Sequence, residues 1–276
     1  MLDPSPEGRR ARRETPLTAA EPVLLRHDAE GIATLVLNRP AARNALSLAL
    51  MNALQDALDA IREDDSVRVV VLKAAGPAFC AGHDLREMRA DSSPETTDHL
   101  FRTCARLMTS LVRLPKPVIA QVRGIATAAG CQLVASCDLA ICTAEARFAT
   151  PGVQIGLFCS TPMVALSRVV PRKAAMEMLL LGEPIDAAEA LRIGLVNRVV
   201  PADRLDACVA DMAGRIAAKA RKVLAVGKEA FARQGEMTLD EAYAYTAQVM
   251  TRNMAMADAQ EGIDAFLQKR APVWEG

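Results

Sequence analysis

The chain of 276 residues is 51% apolar, and its 33 basic side chains balance 33 acidic ones. This composition is typical of a soluble globular protein, and zero formal charge excludes a global attraction to nucleic acid or to an anionic membrane. The seven cysteines lack the spacing of a zinc site or a disulfide scaffold, and no apolar run is long enough to span a membrane. We therefore expect a protein without a metal, located in the cytoplasm or, if its source is a eukaryote, in the mitochondrial matrix.

The first twenty residues are rich in proline, charge and small side chains and show no hydrophobic periodicity, so we expect residues 1–20 to form a disordered arm. Four arginines between positions 9 and 13 leave two functional alternatives, a nucleic-acid contact and an organelle transit peptide. The acidic residues among them argue against a transit peptide. A solvated tail without a nucleic-acid partner is the interpretation that we favour.

The first elements after the arm are predicted to be a strand, a helix and a second strand. Residues 31–40 have the pattern of a strand that a proline turn ends, and Ser47 can cap a helix whose apolar residues recur at helical spacing. Residues 67–76 form a β-branched run without alternation, which indicates a strand buried on both faces. Such a strand belongs to a parallel sheet between layers of helices and predicts an α/β core.

The alternation of strands and helices continues along the chain. The pattern predicts a short helix at residues 128–136 and strands at residues 116–124, 137–148 and 195–201. Another helix ends at Gly182, and Asp186 and Glu189 have the spacing of a capping box at the start of the next.

From residue 203 onward the pattern is helical throughout. Leu205 and Val209 begin an apolar face at helical spacing, and Thr238 with Glu241 offers a second capping box. We place a domain boundary here, between an α/β core at residues 21–202 and a helical domain at residues 203–276.

Two segments share one design, in which a buried strand runs into a turn of small residues and a helix begins at once. They are "VVVLKAAGPAFCAGHDLREM" and "VIAQVRGIATAAGCQL". Small residues let a ligand approach the main chain, and the unpaired N–H groups at a helix start carry positive partial charge. Two such turns side by side predict an oxyanion hole, in which two N–H groups donate to one oxygen.

Five segments between residues 22 and 274 carry a more specific signal: "LNRPAARNALSLALMNAL", "RVVVLKAAGPAFCAGHDLREM", "KPVIAQVRGIATAAGCQLVASCDLAICTAEARFATPGVQIGL", "GEPIDAAEALRIGLVNRVVP" and "EGIDAFLQKRAPVW". In these segments and their order the chain resembles the enoyl-CoA hydratase/isomerase (crotonase) superfamily. The resemblance implies a crotonase-like ββα spiral core with a C-terminal helical trimerisation domain. It also implies an enzyme acting on acyl-CoA thioesters, nominally an enoyl-CoA hydratase or isomerase of fatty-acid or related acyl-CoA metabolism.

The resemblance assigns the oxyanion hole to the backbone N–H groups of His83 and Ala129. No cofactor is implied beyond coenzyme A, which arrives as part of the substrate. The residues implied to bind that substrate are Arg39, Arg43, Ala45, Leu46, Ala81, Gly82, Ala128, Gly130, Cys159, Ser160, Phe266 and Lys269. For Arg39 and Arg43 a solvated loop charge is an equal alternative to a phosphate contact. For Phe266, core packing is favoured over a contact with the nucleotide.

The acids that the resemblance leads us to expect are missing. Family hydratases place one glutamate just after the second turn and another about twenty residues later, and these positions here hold Gln132 and Gly152. A position that carries an acid in isomerase relatives holds Ser160. Because a positioned acid or base contributes about 10² to 10⁴ in rate, we expect ordinary hydration to be weak. The family's "GGG" turn also reads "AAG", which adds two methyl groups beside the ligand.

Other side chains near the turns offer further alternatives. The His83 imidazole could carry a proton, but a ring turned away from the reacting carbons is favoured, because a residue that donates its main chain need not point inward. Cys159 and Ser160 could line the acyl pocket, although core or capping roles are favoured. Asp84 is expected to brace its turn, and Glu87 to be a surface charge.

Two functions stay open. The first is an enzyme that uses the oxyanion hole with a non-standard proton carrier, and the second is a non-catalytic acyl-CoA-binding or regulatory protein of the same fold. The two intact turns favour the first. By resemblance the assembly is a homotrimer or a dimer of trimers with the C-terminal helices at the contacts, and packing within one chain is an equal alternative for the methionines of those helices.

Overall fold

The computed structural model describes residues 21–275, so the predicted arm at residues 1–20 lies outside the described part. Within that part the strands are β1 (Leu24–Ala29), β2 (Ile32–Leu37), β3 (Val69–Ala74), β4 (Val118–Val122), β5 (Ile125–Thr127), β6 (Leu139–Thr143), β7 (Arg147–Ala149), β8 (Ile185–Asp186) and β9 (Arg198–Val200). One sheet has six strands in the order β1-β2-β3-β4-β6-β9, and β5-β7-β8 form a second. Apart from the antiparallel pair β1-β2, the neighbours in the larger sheet are parallel, which confirms the α/β prediction.

The helices flank this sheet and extend beyond it. They are α1 (Leu48–Glu63), α2 (Leu85–Ala90), α3 (Pro94–Arg113), α4 (Ala129–Ser136), α5 (Ser160–Val169), α6 (Arg172–Leu181), α7 (Ala187–Arg192), α8 (Leu205–Ala217), α9 (Arg221–Gln234), α10 (Leu239–Met254) and α11 (Ala257–Leu267). No helix among residues 21–275 combines the length and the apolar character that crossing a bilayer requires.

Strand β3 is buried on both faces, as its unbroken apolar run predicts. On one face Val70 and Leu72 belong to the main apolar core, together with residues of α1 and α3. On the other face Val69 and Val71 pack in a separate cluster with α8. The strand therefore positions the loop that follows it, residues 75–83, from the middle of a packed three-layer core.

The predicted helix ends are confirmed by their side-chain contacts. Ser47 Oγ accepts the Leu50 N–H at 3.2 Å, and Asp186 Oδ1 accepts the Glu189 N–H at 2.8 Å. Thr238 begins α10 with a capping box, Gly182 ends α6, and α4 spans most of the predicted 128–136 segment. These local signals act within one turn of chain, which is why the sequence shows them.

Strand β1 was not predicted from the sequence. It pairs with β2 through a two-residue turn, Glu30 and Gly31, with φ values of 51° and 77°. Positive φ at both central residues is the geometry of a tight hairpin turn. The Glu-Gly pair, flanked by apolar residues, is the signal that could have marked this hairpin.

The prediction of one strand over residues 137–148 is wrong. The segment forms β6 in the larger sheet and β7 in the smaller one, with a turn between them in which Ala146 N–H donates to the Thr143 carbonyl. Both halves are apolar and buried, so the pattern does not show that they belong to different sheets. Strand β7 leaves the central sheet and pairs with β5, which ends directly before the second turn of small residues. The chain after β6 therefore lies beside that turn.

The C-terminal helices follow the predicted helical pattern, and α8 packs against the sheet. Leu205 and Val209 of α8 are buried against Val71 and Ile141. The first helix after residue 203 thus completes a layer of the core, while α9, α10 and α11 extend from it. The domain boundary at residue 203 stays a prediction.

Candidate functional site

The first turn of small residues is held in place by the loop that precedes α1. Ala81 N–H donates to the Arg43 carbonyl, and Leu46 forms a strand-like bridge with His83. In that bridge Leu46 N–H donates to the Gly82 carbonyl at 2.7 Å and its carbonyl accepts the Asp84 N–H at 3.1 Å. The predicted binding residues on the loop and in the turn therefore lie side by side.

Asn44 stabilises this loop from the inside, a role that the sequence reading missed. Its side chain is fully buried, its Oδ1 accepts the Arg39 N–H, and its Nδ2 donates to the carbonyls of Ala75 and Ala78, each at 2.8 Å. The backbone of Asn44 has φ 53°, a conformation that asparagine tolerates better than most residues. One side chain thus ties the loop to the segment that enters the first turn.

Arg39 is engaged inside the site. Its guanidinium donates to Asp84 Oδ2 at 2.9 Å and to the Ala45 carbonyl at 2.5 Å. This hydrogen bond from Arg39 holds the pKa of Asp84 below its usual value, and Asp84 also caps α2. Asp84 therefore braces its turn as expected. The phosphate contact predicted for Arg43 stays a prediction.

The second turn contains a strained residue. Ala128 precedes α4 with φ 49° and ψ −119°, a backbone conformation that residues with a Cβ rarely adopt. It is held there because its N–H donates to the Ala149 carbonyl at 2.9 Å and its carbonyl accepts the Gln132 N–H at 3.0 Å. The alanine that replaces the family's glycine therefore adds strain at this turn.

The two turns lie in contact with each other. A Cβ on Gly82 would lie 2.9 Å from the Ala128 Cβ and 3.5 Å from the Ala129 nitrogen, and a Cβ on Gly130 would lie 2.2 Å from the Cys80 carbonyl oxygen. Neither the His83 nor the Ala129 N–H donates to an acceptor among residues 21–275. Glycine at positions 82 and 130 is therefore what lets two turns with free N–H groups meet.

Gln132 lies one helical turn after Ala129 and is 4% exposed. Its Oε1 is 3.9 Å from the Sγ of Cys104 on α3, within the distance of a weak hydrogen bond to sulfur. Burial raises the pKa of the Cys104 thiol to about 12, so the thiol stays protonated and can donate to this oxygen. The side chain at position 132 thus lies between α3 and α4, with the Cys104 thiol as its side-chain hydrogen-bond partner within residues 21–275.

Gly152 occupies a niche that is closed. A Cβ on this residue would lie 2.5 Å from the Leu157 carbonyl oxygen and 2.9 Å from the Cys159 Sγ. The Gly152 N–H donates to that sulfur at 3.3 Å, and the Gly152 carbonyl accepts the Leu157 N–H at 2.9 Å. Residues 152–159 therefore fold back on themselves and fill the space that a longer side chain at 152 would need.

Two expectations about nearby side chains are wrong. Glu87 is half-buried, and its Oε2 accepts the Leu48 N–H at 3.0 Å, so it caps α1 instead of being a surface charge. Phe266 is 82% exposed and does not pack in the core of this chain. Lys269, just after α11, is exposed like Phe266. Ser160 at the start of α5 is also exposed, whereas the neighbouring Cys159 is buried.

Thr150 is another residue that the sequence reading missed. It is fully buried beside the second turn, directly after the β7 residue whose carbonyl accepts the Ala128 N–H. Its hydroxyl has no hydrogen-bond partner among residues 21–275. The identity of a lone threonine gives no signal of this burial, since the position depends on how β7 pairs with β5.

The model of the family described as Enoyl-CoA hydratase/isomerase matches residues 27–276. The chain belongs to the enoyl-CoA hydratase/isomerase family. A relative from Xenopus laevis, enoyl-CoA hydratase domain-containing protein 3, mitochondrial, is 48% identical over 262 residues, which cover 95% of this chain and 87% of that protein.

Two solved structures resemble this crotonase-fold protein closely. An enoyl-CoA hydratase of Mycobacterium smegmatis has a TM-score of 0.91 and 54% identity, covering 93% of this chain and all of that one. Human enoyl Coenzyme A hydratase domain-containing protein 3 has a TM-score of 0.89 and 47% identity, covering 91% of this chain and all of that one. The comparisons confirm the mixed α/β crotonase fold with C-terminal helices and place the chain in an enzyme family that acts on acyl-CoA.

The chemistry available to this family member comes from the main chain and from neutral side chains. All seven cysteines are unpaired, and burial raises the pKa of Cys80, Cys104 and Cys131 to about 12 each, so these thiols are poor nucleophiles. No group of three potential ligands among histidine, cysteine, aspartate and glutamate could hold a metal within residues 21–275. What the two turns offer to a ligand is a pair of N–H donors.

Proposed function

We propose that this chain binds acyl-CoA thioesters with the carbonyl oxygen between the backbone N–H groups of His83 and Ala129. The observation that carries the proposal is the contact of two small-residue turns whose N–H groups have no acceptor within residues 21–275. A thioester oxygen gains negative charge as an enolate forms at the neighbouring carbon. Donors that are already fixed in place stabilise this charge, each by about 2.7 to 4 kcal/mol.

Enolate formation requires proton transfer, and the side chains of this site are poor acids and bases for it. Gln132 does not titrate, and the niche at Gly152 has no room for a carboxylate. Burial lowers the pKa of His83 to about 4, so the imidazole is neutral at pH 7 and a weak base. We therefore propose slow hydration or isomerisation of enoyl-CoA substrates compared with an enzyme that has both acids.

A second candidate is an acyl-CoA-binding or regulatory protein that performs no chemistry. The closed niche at Gly152 favours it, because Cys159 and the Leu157 carbonyl fill the space of the second acid. The free N–H groups serve binding and catalysis equally well, so turnover of an enoyl-CoA is the observation that separates the two candidates.

Coenzyme A recognition and assembly form part of the same proposal. Arg43 follows the engaged Arg39 on the loop beside the first turn and is the cation that we assign to a phosphate of the ligand. Phe266 and Lys269 are exposed and free to meet a nucleotide, or another copy of the chain in a trimer or dimer of trimers. The exposed apolar residues Tyr243 and Met250 of α10 support such contacts.

We also propose that the protein acts in acyl-CoA metabolism and that it is located in mitochondria if its source is a eukaryote. The support is that the relatives from Xenopus laevis and Homo sapiens are both named as mitochondrial proteins. A cytoplasmic location is the alternative in a bacterium.

The proposal is tested by titrating the protein with crotonyl-CoA and with free coenzyme A, and by following the loss of the enoyl absorbance. We expect crotonyl-CoA to bind more tightly than coenzyme A. Ala129→Pro removes one N–H donor at the first position of α4, where the lost N–H breaks no helical hydrogen bond. Circular dichroism checks that the variant folds, because the residue before a proline is restricted and Ala128 has ψ −119°. We expect this variant to retain coenzyme A binding and to lose about 10²-fold of any turnover.

Ala128→Gly is the matched control, because it changes the neighbouring residue and keeps the Ala129 N–H. Equal binding of crotonyl-CoA and coenzyme A by the wild type would contradict the proposal, as would full activity of Ala129→Pro. Tight thioester binding without turnover in the wild type would select the non-catalytic candidate.

A further inference from the structure

The chain after α11 folds back along that helix as a strap, which we define as residues 270–275. Glu261, in the second turn of α11, holds the beginning of the strap: Arg270 Nη1 and Nη2 donate to its Oε1 and Oε2 at 2.6 and 2.8 Å. The Val273 N–H donates to the same carboxylate at 2.7 Å. A bidentate arginine pair with a third donor fixes its partners in one geometry, unlike an isolated surface ion pair.

The charge of the Glu261 carboxylate is maintained by its donors. The hydrogen bonds from the Arg270 guanidinium and from the Val273 N–H lower the pKa of Glu261 to about 2. The carboxylate is therefore ionised throughout the physiological pH range, and it holds the strap over that whole range.

The far end of the strap is tied to two helices. Trp274 Nε1 donates to the carbonyl of Ala218, just after α8, at 2.9 Å. The Glu275 N–H donates to the buried carboxylate of Asp258 on α11 at 2.8 Å. The Trp274 ring lies against the backbone of α11, since a Cβ on Gly262 would lie 3.3 Å from two of its atoms. The strap therefore links α11 to α8, which packs on the central sheet.

The pair of Glu261 and Arg270 encloses the end of α11, where Phe266 and Lys269 lie. Lys269 has φ 57°, a left-handed conformation that residues with a Cβ rarely adopt. The turn at Lys269 is closed by the Arg270 N–H, which donates to the Ala265 carbonyl at 3.0 Å. The same turn brings the Arg270 side chain back to Glu261, so the ion pair stabilises the left-handed backbone of Lys269.

Phe266 and Lys269 have the chemistry of a nucleotide contact. Both side chains are exposed, Phe266 to 82%, so a ligand can reach them. An aromatic ring offers a stacking surface to a base, and an ammonium group pairs with a phosphate. Their contribution to binding depends on a fixed arrangement, because ordering loose groups at the moment of binding costs free energy.

We propose that Glu261 is a positioning residue, which through the strap fixes Phe266 and Lys269 for the nucleotide end of an acyl-CoA ligand. The inference rests on the proposed function, which assigns these two residues to the nucleotide. Glu261 acts through Arg270 and the left-handed turn at Lys269. Loss of its carboxylate should therefore weaken the nucleotide contacts and leave the thioester contacts unchanged.

The experiment compares the binding of crotonyl-CoA with that of crotonyl-pantetheine, which carries the same thioester without the nucleotide. We expect the wild type to prefer crotonyl-CoA. Glu261→Ala removes the carboxylate and places a good helix former in α11. We expect this variant to bind crotonyl-CoA about fivefold less tightly, near the lower limit for one base-stacking contact, and to bind crotonyl-pantetheine as the wild type does.

Asp264→Ala is the matched control, because it removes another carboxylate, an exposed one, from α11. Loss of a negative charge by itself favours an anionic ligand, so this variant should bind crotonyl-CoA as tightly as the wild type or more tightly. Trp274 is the single tryptophan of the chain, so its fluorescence reports the state of the strap. The emission should shift to longer wavelength in Glu261→Ala and stay unchanged in Asp264→Ala.

The outcomes separate this inference from the function on which it rests. If the wild type binds crotonyl-CoA no more tightly than free coenzyme A, the proposed function fails. If it binds crotonyl-CoA and crotonyl-pantetheine equally well, and both better than their free thiols, the proposed thioester site stands and the role of Glu261 is refuted. An equal change for both ligands in Glu261→Ala, or an unshifted Trp274 emission in that variant, would refute it as well.

Discussion

Positions 132 and 152 both carry a residue that cannot titrate where the family resemblance leads us to expect an acid, but their surroundings differ. Gln132 has the length of a glutamate and rests in a niche where Cys104 can donate to its oxygen. Gly152 lies under the Leu157 carbonyl and the Cys159 sulfur, 2.5 and 2.9 Å from where a Cβ would be. The space at position 132 accommodates an acid of this length, and the space at position 152 does not.

An acid can therefore be absent for two different reasons: the side chain is replaced while its space remains, or the space itself is filled. At position 132 a single amide replaces a carboxylate, so one substitution can reverse the change. At position 152 the Leu157 carbonyl and the Cys159 sulfur occupy the space, so a new side chain alone cannot restore the acid. A glutamate at position 152 should therefore destabilise the protein, whereas a glutamate at position 132 should raise its activity.

The largest effect is expected for Gly152→Glu. Its Cβ must displace backbone atoms, and forced overpacking typically costs about 1 to 3 kcal/mol, so we expect a loss of about 3 kcal/mol in the free energy of unfolding. Urea unfolding followed by circular dichroism measures this loss.

Gly214→Ala is the control for this prediction, because nothing lies within 4 Å of its added Cβ in α8. It should stabilise the protein by roughly 0.5 to 1 kcal/mol. A Gly152→Glu protein as stable as the wild type would show that the 152–159 segment can open, and the contrast between the two positions would fail.

Gln132→Glu should fold with some loss of stability, because it buries a carboxyl group without a cation, and should gain function. The new carboxylate supplies one acid–base group beside the oxyanion hole, so we expect the hydration rate of crotonyl-CoA to rise about 10²-fold. Loss of the enoyl absorbance under saturating substrate measures it. Gln132→Met, of similar size and without acid–base chemistry, is the control, and an equal rate in both variants would contradict the prediction.

Protonation of His83 should make stability depend on pH. The folded pKa of about 4 lies below the 6.5 of an exposed imidazole, so the unfolded chain binds more protons between these values. The free energy of unfolding should then fall as the pH drops from about 6.5 to about 4, by up to roughly 1.4 kcal/mol per pH unit.

His83→Phe removes this contribution, so its stability should fall less steeply than that of the wild type over the same pH range. Urea unfolding of both proteins at a series of pH values measures the difference in slope. Parallel slopes would mean that the ring is already charged or solvated in the folded protein.

The smallest effect is expected for Ala128→Gly, which tests the strain in the second turn. Glycine adopts φ 49° and ψ −119° without a Cβ clash, so relief of strain of about 1 to 3 kcal/mol outweighs the entropy cost of glycine. We expect a net gain of about 1 kcal/mol in thermal or urea unfolding. Ala129→Gly, at a helical position, should instead be destabilising, and equal results for both would refute the strain.

Much of the fold could be predicted because its signals are local. The cap at Ser47, the capping box at Thr238 and the unbroken apolar run of β3 each act within a few residues, and the structure contains all three. The hairpin at Glu30 and the division of residues 137–148 between two sheets were missed, since strand pairing depends on residues far apart in the chain.

The candidate site divides in the same way. The sequence by itself determined that two turns of small residues precede helices and that Gln132 and Gly152 stand where acids are expected, since these facts depend on residue identity alone. The tertiary structure decided that the turns meet at Gly82 and Gly130, because only folding brings these distant residues within contact distance. It also decided that Arg39 is engaged by Asp84, that position 152 is closed and that the His83 ring is buried without a partner, since each depends on packing between elements far apart in the chain.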